Sequence, residues 1–136
     1  IKFIYGPTQS TLPGFRHSEK YDIVLLDGPH GYPFPDLEYY HLYPHIKENG
    51  LLLIDDIQIP SIGRMFDLLK EDAMFIFIGL IGYMGVLARD NQPLFDPFGD
   101  DWWTQNYNRR RTDVVRFQLH VNGSQPSAEN IISNGL

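Results

Sequence analysis

At 136 residues the chain holds one ordinary domain's worth of material, and its 43% of apolar residues suffice for a single core. A formal net charge of −6 argues against a general nucleic-acid binder, which carries a basic face. The absence of cysteine excludes a disulfide framework, a thiolate metal site and a cysteine nucleophile, and is compatible with a cytoplasmic protein.

Residues 1–5 are apolar, β-branched or aromatic, and predict a strand that Gly6-Pro7 stops. The chain opens directly on this run rather than on a signal peptide, and on Ile1 rather than Met, which predicts further residues upstream. Pro13-Gly14 breaks the next connection. Tyr21 to Leu26 is an apolar run ending at Asp27-Gly28-Pro29, the pattern of a strand buried on both faces. Pro35-Asp36 suits the first turn of a short helix, with Leu37, Tyr40 and Pro44 bounding it.

Asn49-Gly50 then turns the chain into Leu51–Ile54, a second buried strand ending at Asp55-Asp56. Ser61 can cap a helix whose apolar positions Ile62, Met65, Phe66 and Leu69 fall at i, i+3, i+4 and i+7. Residues 74–81 and 83–88 read as two strands around Gly82; glycines break this run, the longest apolar one, so no membrane helix is expected. The rhythm is α/β, with a mostly parallel sheet closed by an antiparallel terminal hairpin. Residues 1–90 form that unit. Residues 91–136 read as an extension with a turn-rich start, Trp102-Trp103 packing as a lid, a solvated basic run Arg109–Arg111, one alternating strand through Val115, Phe117, Leu119 and Val121, and a mobile tail from Asn122.

In an open α/β sheet, ligands bind beyond the carboxyl ends of the parallel strands. Two such ends carry acids here, Asp27 after the first buried strand and Asp55-Asp56 after the second. If the strands are neighbours, the carboxylates converge and repel one another unless a cation offsets them; an oxygen-only set suits a hard ion such as Mg²⁺. The same residues also serve as ordinary turn and helix caps, and spacing alone leaves both readings open.

Gly6-Pro7-Thr8-Gln9-Ser10, then Asp27-Gly28-Pro29-His30-Gly31-Tyr32, then Gly50–Asp56 follow one another in an order and spacing that resembles the class I S-adenosylmethionine-dependent methyltransferases. Within that class the likeness is to the cation-dependent O-methyltransferases, the catechol and caffeoyl-CoA types and relatives with an Asp-Gly-x-His signature. The resemblance spans about residues 1–89 and implies the C-terminal half of a Rossmann-like methyltransferase sheet. It implies Asp27, Asp55 and Asp56 as metal ligands, the last standing where many members have Asn. It implies His30 as the catalytic base, at the position of the catechol type's Lys; histidine ionises near neutral pH and suits that task. Gly6, Thr8 and Gln9 match the loop that holds the adenine of S-adenosylmethionine, with Asp27 and Gly28 also at the donor.

The family's Gly-rich loop after its first strand and acid after its second have no counterpart here. In the family's sheet order, 3-2-1-4-5-7-6, residues 1–5 stand as strand 3 and the strand ending at Asp27 as strand 4, which leaves a central edge open to pairing with another copy or with the strand near Val115–Val121. The expectation is therefore methyl transfer to a hydroxyl of a small-molecule acceptor by the parent protein, with the isolated fragment inactive. The alternatives are a methyltransferase-like interaction or oligomerisation module, and an α/β domain whose acids hold a Mg-nucleotide or sugar-nucleotide.

Overall fold

The computed structural model describes residues 1–96, 98–99 and 102–112. Strands β1 (Tyr21–Leu26), β2 (Ile46–Ile54), β3 (Phe75–Ile81) and β4 (Met84–Arg89) form one sheet in the order β1-β2-β4-β3. Helix α1 (Thr8–Thr11) precedes β1, α2 (Phe34–Leu42) joins β1 to β2, and α3 (Pro60–Glu71) joins β2 to β3. This is the 4-5-7-6 end of the sheet order that the resemblance implies. The α/β class and the partial Rossmann-like sheet therefore stand. The pairing is mixed rather than mostly parallel: β1 and β2 run parallel, whereas β2–β4 and β4–β3 are antiparallel.

The periodicity of α3 survives intact, with Ile62, Met65, Phe66 and Leu69 all buried. They pack on Val24, Leu26, Leu52, Ile54 and Leu87, which face them from β1, β2 and β4. The opposite sheet face is open. Ile23 and Leu25 on β1 are 58% and 50% exposed, and Ile76 and Ile78 on β3, at the opposite edge of the sheet, are exposed as well. β1 is thus buried on one face instead of two, because no element among the described residues covers the second. Its outer edge is also unpaired among the described residues.

Residues 1–5 do not form the expected strand. A strand needs a neighbour, and the implied order sets two other strands between this segment and β1. Asn49-Gly50 likewise does not end a loop: β2 starts at Ile46 and runs through the pair. Asn49 takes a left-handed φ of 63°, and the register against β1 shifts between Tyr21 and Ile23. A Cβ at Gly50 would come within 3.1 Å of the Tyr21 and Asp22 carbonyl oxygens, so glycine lets β1 pass this irregularity. The Gly82 hairpin forms as expected, with φ +61° at the glycine.

On β4, Gly85 lies against the Phe66 ring. A Cβ there would sit 2.7 Å from Cζ and collide with Cε2, and the ring is itself packed edge-on to Phe77. Gly85→Ala is expected to cost about 1–3 kcal/mol by overpacking, seen as a lower denaturant midpoint at unchanged slope.

Beyond β4 the chain folds back on the core. Arg89 is buried and donates to the carbonyls of Met74, Asp90 and Gln92, while the Tyr43 hydroxyl donates to the Phe95 carbonyl at 3.0 Å. Leu94 and Phe95 pack on the core cluster. Trp102 and Trp103 stay about half exposed and meet edge to face. Residues 106–112 are helical, and Arg110 and Arg111 both pair with Glu71 at the end of α3. The strand expected through Val115–Val121 and the tail from Asn122 lie outside the described residues.

At the other end, His17 stacks on His45 with ring centroids 3.9 Å apart and shares a 2.9 Å hydrogen bond with the Tyr21 hydroxyl. Burial first, then the neighbouring charges of His45 and His41, hold His17 below the usual 6.5. His45 is lowered as well, by burial and then by Lys20. The unfolded chain then binds these protons more readily than the folded one, so stability present above 6.5 is lost as the pH falls. The denaturation midpoint is expected to drop between about pH 7 and about pH 5.5. His17→Gln should flatten that slope; an unchanged slope would remove the stack from the account.

Candidate active site

β1 and β2 end side by side. Leu26 pairs with Ile54, and the Asp55 N–H donates to the Leu26 carbonyl at 3.0 Å, so Asp27 and Asp55 leave the sheet at one level. Side-chain directions then separate the acids. The Asp55 carboxylate turns back to accept the Asp56 N–H at 2.9 Å. Asp56 sits at a left-handed φ of 56°, which aims its carboxylate across to the loop after β1. There His30 Nε2 lies 3.3 Å from Asp56 Oδ2. The group whose ligand atoms all fall within 4.8 Å of one another is Asp27, His30 and Asp56. The three expected carboxylates do not make this cluster; His30 takes the place assigned to Asp55.

Several contacts fix this arrangement. Gln58 Nε2 donates to Asp56 Oδ1 at 2.7 Å. Ser61, expected to cap α3, instead donates its hydroxyl to the His30 carbonyl and ties the backbone of the loop after β1 to the helix. The helix starts at Pro60, where proline at the first turn needs no N–H partner. Arg64 of α3 holds Asp36 of α2 through both carboxylate oxygens, at 2.9 and 3.0 Å. His30 and Asp56 thus lie on a frame braced at both helices, yet stay open to solvent.

On the other side of Asp27, a groove of about 190 Å³ is lined by Thr8, Leu12, Leu25, Asp27, Gly28 and Glu38, among others. Thr8, Asp27 and Gly28, three of the residues expected at the donor, meet here. Gly6 and Gln9 do not line it. Gly6, at φ +127°, shapes the turn into α1, and Gln9 is exposed on that helix. The Thr8 hydroxyl is turned inward and donates to Glu38.

Glu38 is a residue that the sequence reading passed over. It is buried on α2, and burial first, then the Asp27 charge, raises its carboxyl above the ordinary range, with the Thr8 hydrogen bond opposing. A signal was available: Pro35, Glu38, Tyr39 and Leu42 fall at i, i+3, i+4 and i+7, so an acid occupies the inward stripe of α2. Leu37 and Tyr40, the apolar residues picked out there, are exposed.

Residues 1–57 match the family model described as a methyltransferase domain. This part of the chain is a methyltransferase-domain segment. The match contains α1, β1, α2 and β2 and every acid and histidine of the site, and with the 4-5-7-6 strand order it supports the reading of the chain as a fragment of a class I S-adenosylmethionine-dependent methyltransferase. Methyl transfer, with S-adenosylmethionine as donor, is the activity this family implies. No curated protein matches the chain at a significant level. No described helix is long and apolar enough to cross a membrane.

Proposed function

We propose that the full-length protein transfers a methyl group from S-adenosylmethionine to a hydroxyl of a small molecule, with His30 as the base. The observation that carries this is the His30–Asp56 pair at 3.3 Å, open to solvent at the ends of the parallel strands. Asp56 holds the Nε2–H and orients the ring, which leaves Nδ1 with the free lone pair. Nδ1 takes the hydroxyl proton as the oxygen attacks the methyl carbon in line. The O–CH₃ bond forms, the S–CH₃ bond breaks, and the sulfur keeps the electron pair, leaving S-adenosylhomocysteine.

The groove beside Asp27 suits one part of the donor. Leu12, Leu25 and Leu42 give it an apolar wall, and Asp27 sets a negative charge at its end, favourable to the cationic sulfonium. At about 190 Å³ it is smaller than the roughly 300–1,000 Å³ of most small-molecule sites, so the described residues supply one wall and the fragment alone binds the donor weakly.

Asp27, His30 and Asp56 also fit a divalent cation, an alternative in which His30 would be a ligand instead of the base and the cation would supply charge to acidify the acceptor hydroxyl. Two carboxylates with one imidazole suit an ion such as Mn²⁺ or Fe²⁺ better than the Mg²⁺ expected of an all-oxygen set. The test is transfer of labelled methyl from S-adenosylmethionine to hydroxyl acceptors, including catechols, by the full-length protein with and without chelator. Turnover that survives chelation supports the His30–Asp56 base alone. Loss of turnover restored by Mn²⁺ supports the cation. No transfer to any hydroxyl acceptor refutes the reading.

The unpaired β1 edge and the open face around Ile23 and Leu25 favour a second reading, a non-catalytic module that pairs with another copy of itself. A full-length protein that dimerises and fails to bind S-adenosylhomocysteine would support it.

A further inference from the structure

Burying a carboxylate is unfavourable, and an apolar side chain of similar size would fill the inward stripe of α2 without that penalty. Glu38 nevertheless lies there, 5% exposed, with one side chain directed at it and one stretch of backbone packed on it. The Thr8 hydroxyl donates to Oε1, and the same carboxyl lies against the backbone of Gly28. Gly28 also makes room for it, since a Cβ at that position would collide with the carboxyl group. One side chain thus ties three pieces together: α1, the turn leaving β1, and α2. Thr8, Gly28 and Glu38 are all walls of the groove beside Asp27.

We propose that Glu38 is a positioning residue for the methyl donor: its carboxyl clamps Thr8 to the backbone of Gly28 and so fixes the width of the groove. The inference rests on the donor reading of that groove. Glu38 need not touch the donor; it acts through α1, whose four residues hold no buried side chain to anchor them otherwise. Without the clamp, α1 is a single turn of helix, too short to hold its place alone.

The test uses the full-length protein, with S-adenosylhomocysteine titrated by calorimetry and amide hydrogen exchange followed along the chain. Glu38→Ala is expected to weaken S-adenosylhomocysteine about tenfold and to speed exchange over residues 7–12 at least about tenfold, while residues 51–54 keep their protection. Glu38→Gln should recover most of both losses, because its amide oxygen still accepts from Thr8 and the side chain keeps the shape that seats against Gly28. Thr8→Val removes the hydroxyl without hollowing the site and should loosen residues 7–12 similarly. The double variant Glu38→Ala/Thr8→Val should be no worse than Glu38→Ala alone. Unchanged exchange over residues 7–12 in Glu38→Ala would overturn the clamp. So would equal loosening of residues 51–54, which would reduce Glu38 to general support of the fold. A wild-type protein that does not bind S-adenosylhomocysteine would overturn the donor reading, and the exchange arm would still decide the clamp.

Discussion

His30→Gln in the full-length protein should slow methyl transfer by about 10²–10⁴-fold, the usual share of a positioned general base, with S-adenosylhomocysteine affinity within about twofold of wild type. Glutamine keeps a polar group near Asp56 but accepts no proton at neutral pH. The groove proposed for the donor lies on the other side of Asp27 and includes neither His30 nor Asp56, so binding and chemistry should separate. Asp56→Asn should cost less, because the ring loses its orienting charge but keeps its lone pair. Single-turnover rates with labelled donor measure both. A His30→Gln protein with wild-type turnover would remove the histidine from the mechanism.

The core makes an equally sharp prediction. Leu52 is fully buried and pairs across the sheet with Val24 of β1 and Leu87 of β4, beneath the apolar stripe of α3. Leu52→Ala should lower the unfolding free energy by roughly 2–5 kcal/mol, from lost burial and the cavity left behind. Leu25, one row along β1 on the open face, is half exposed, and Leu25→Ala should change stability by no more than about 0.5 kcal/mol. Paired denaturant titrations decide it. Equal losses would show that the open face is covered in solution, by another copy or by further chain.

Much of this was legible in the sequence because it depends on local pattern. The α3 stripe, the Gly82 hairpin and the acids closing two adjacent strands follow from periodicity and punctuation, and each stands in the structure. What depends on neighbours was not legible. Residues 1–5 have strand composition but no adjacent strand, and composition does not record that. A run of apolar residues in β1 reads as doubly buried whether or not anything covers its second face. The site failed to read for a different reason. Asp55 and Asp56 are adjacent letters, yet one turns back onto the backbone and the other crosses to His30, a division set by φ at a single residue. Glu38 is not legible from the apolar residues of α2, because Leu37 and Tyr40 face outward and the acid holds a place on the inward stripe.

The left-handed backbone at Asp56 narrows what this position can be. Conformations with φ near +56° exclude β-branched and bulky residues and favour glycine, asparagine and aspartate. The choice of chemistry opposite His30 is therefore drawn from a very short alphabet: an orienting charge, a neutral amide, or nothing. Glutamate, which would keep the charge, is poorly suited to the fold there, so a change of reaction at this site is more easily reached by altering His30 or the loop around it than by lengthening the acid.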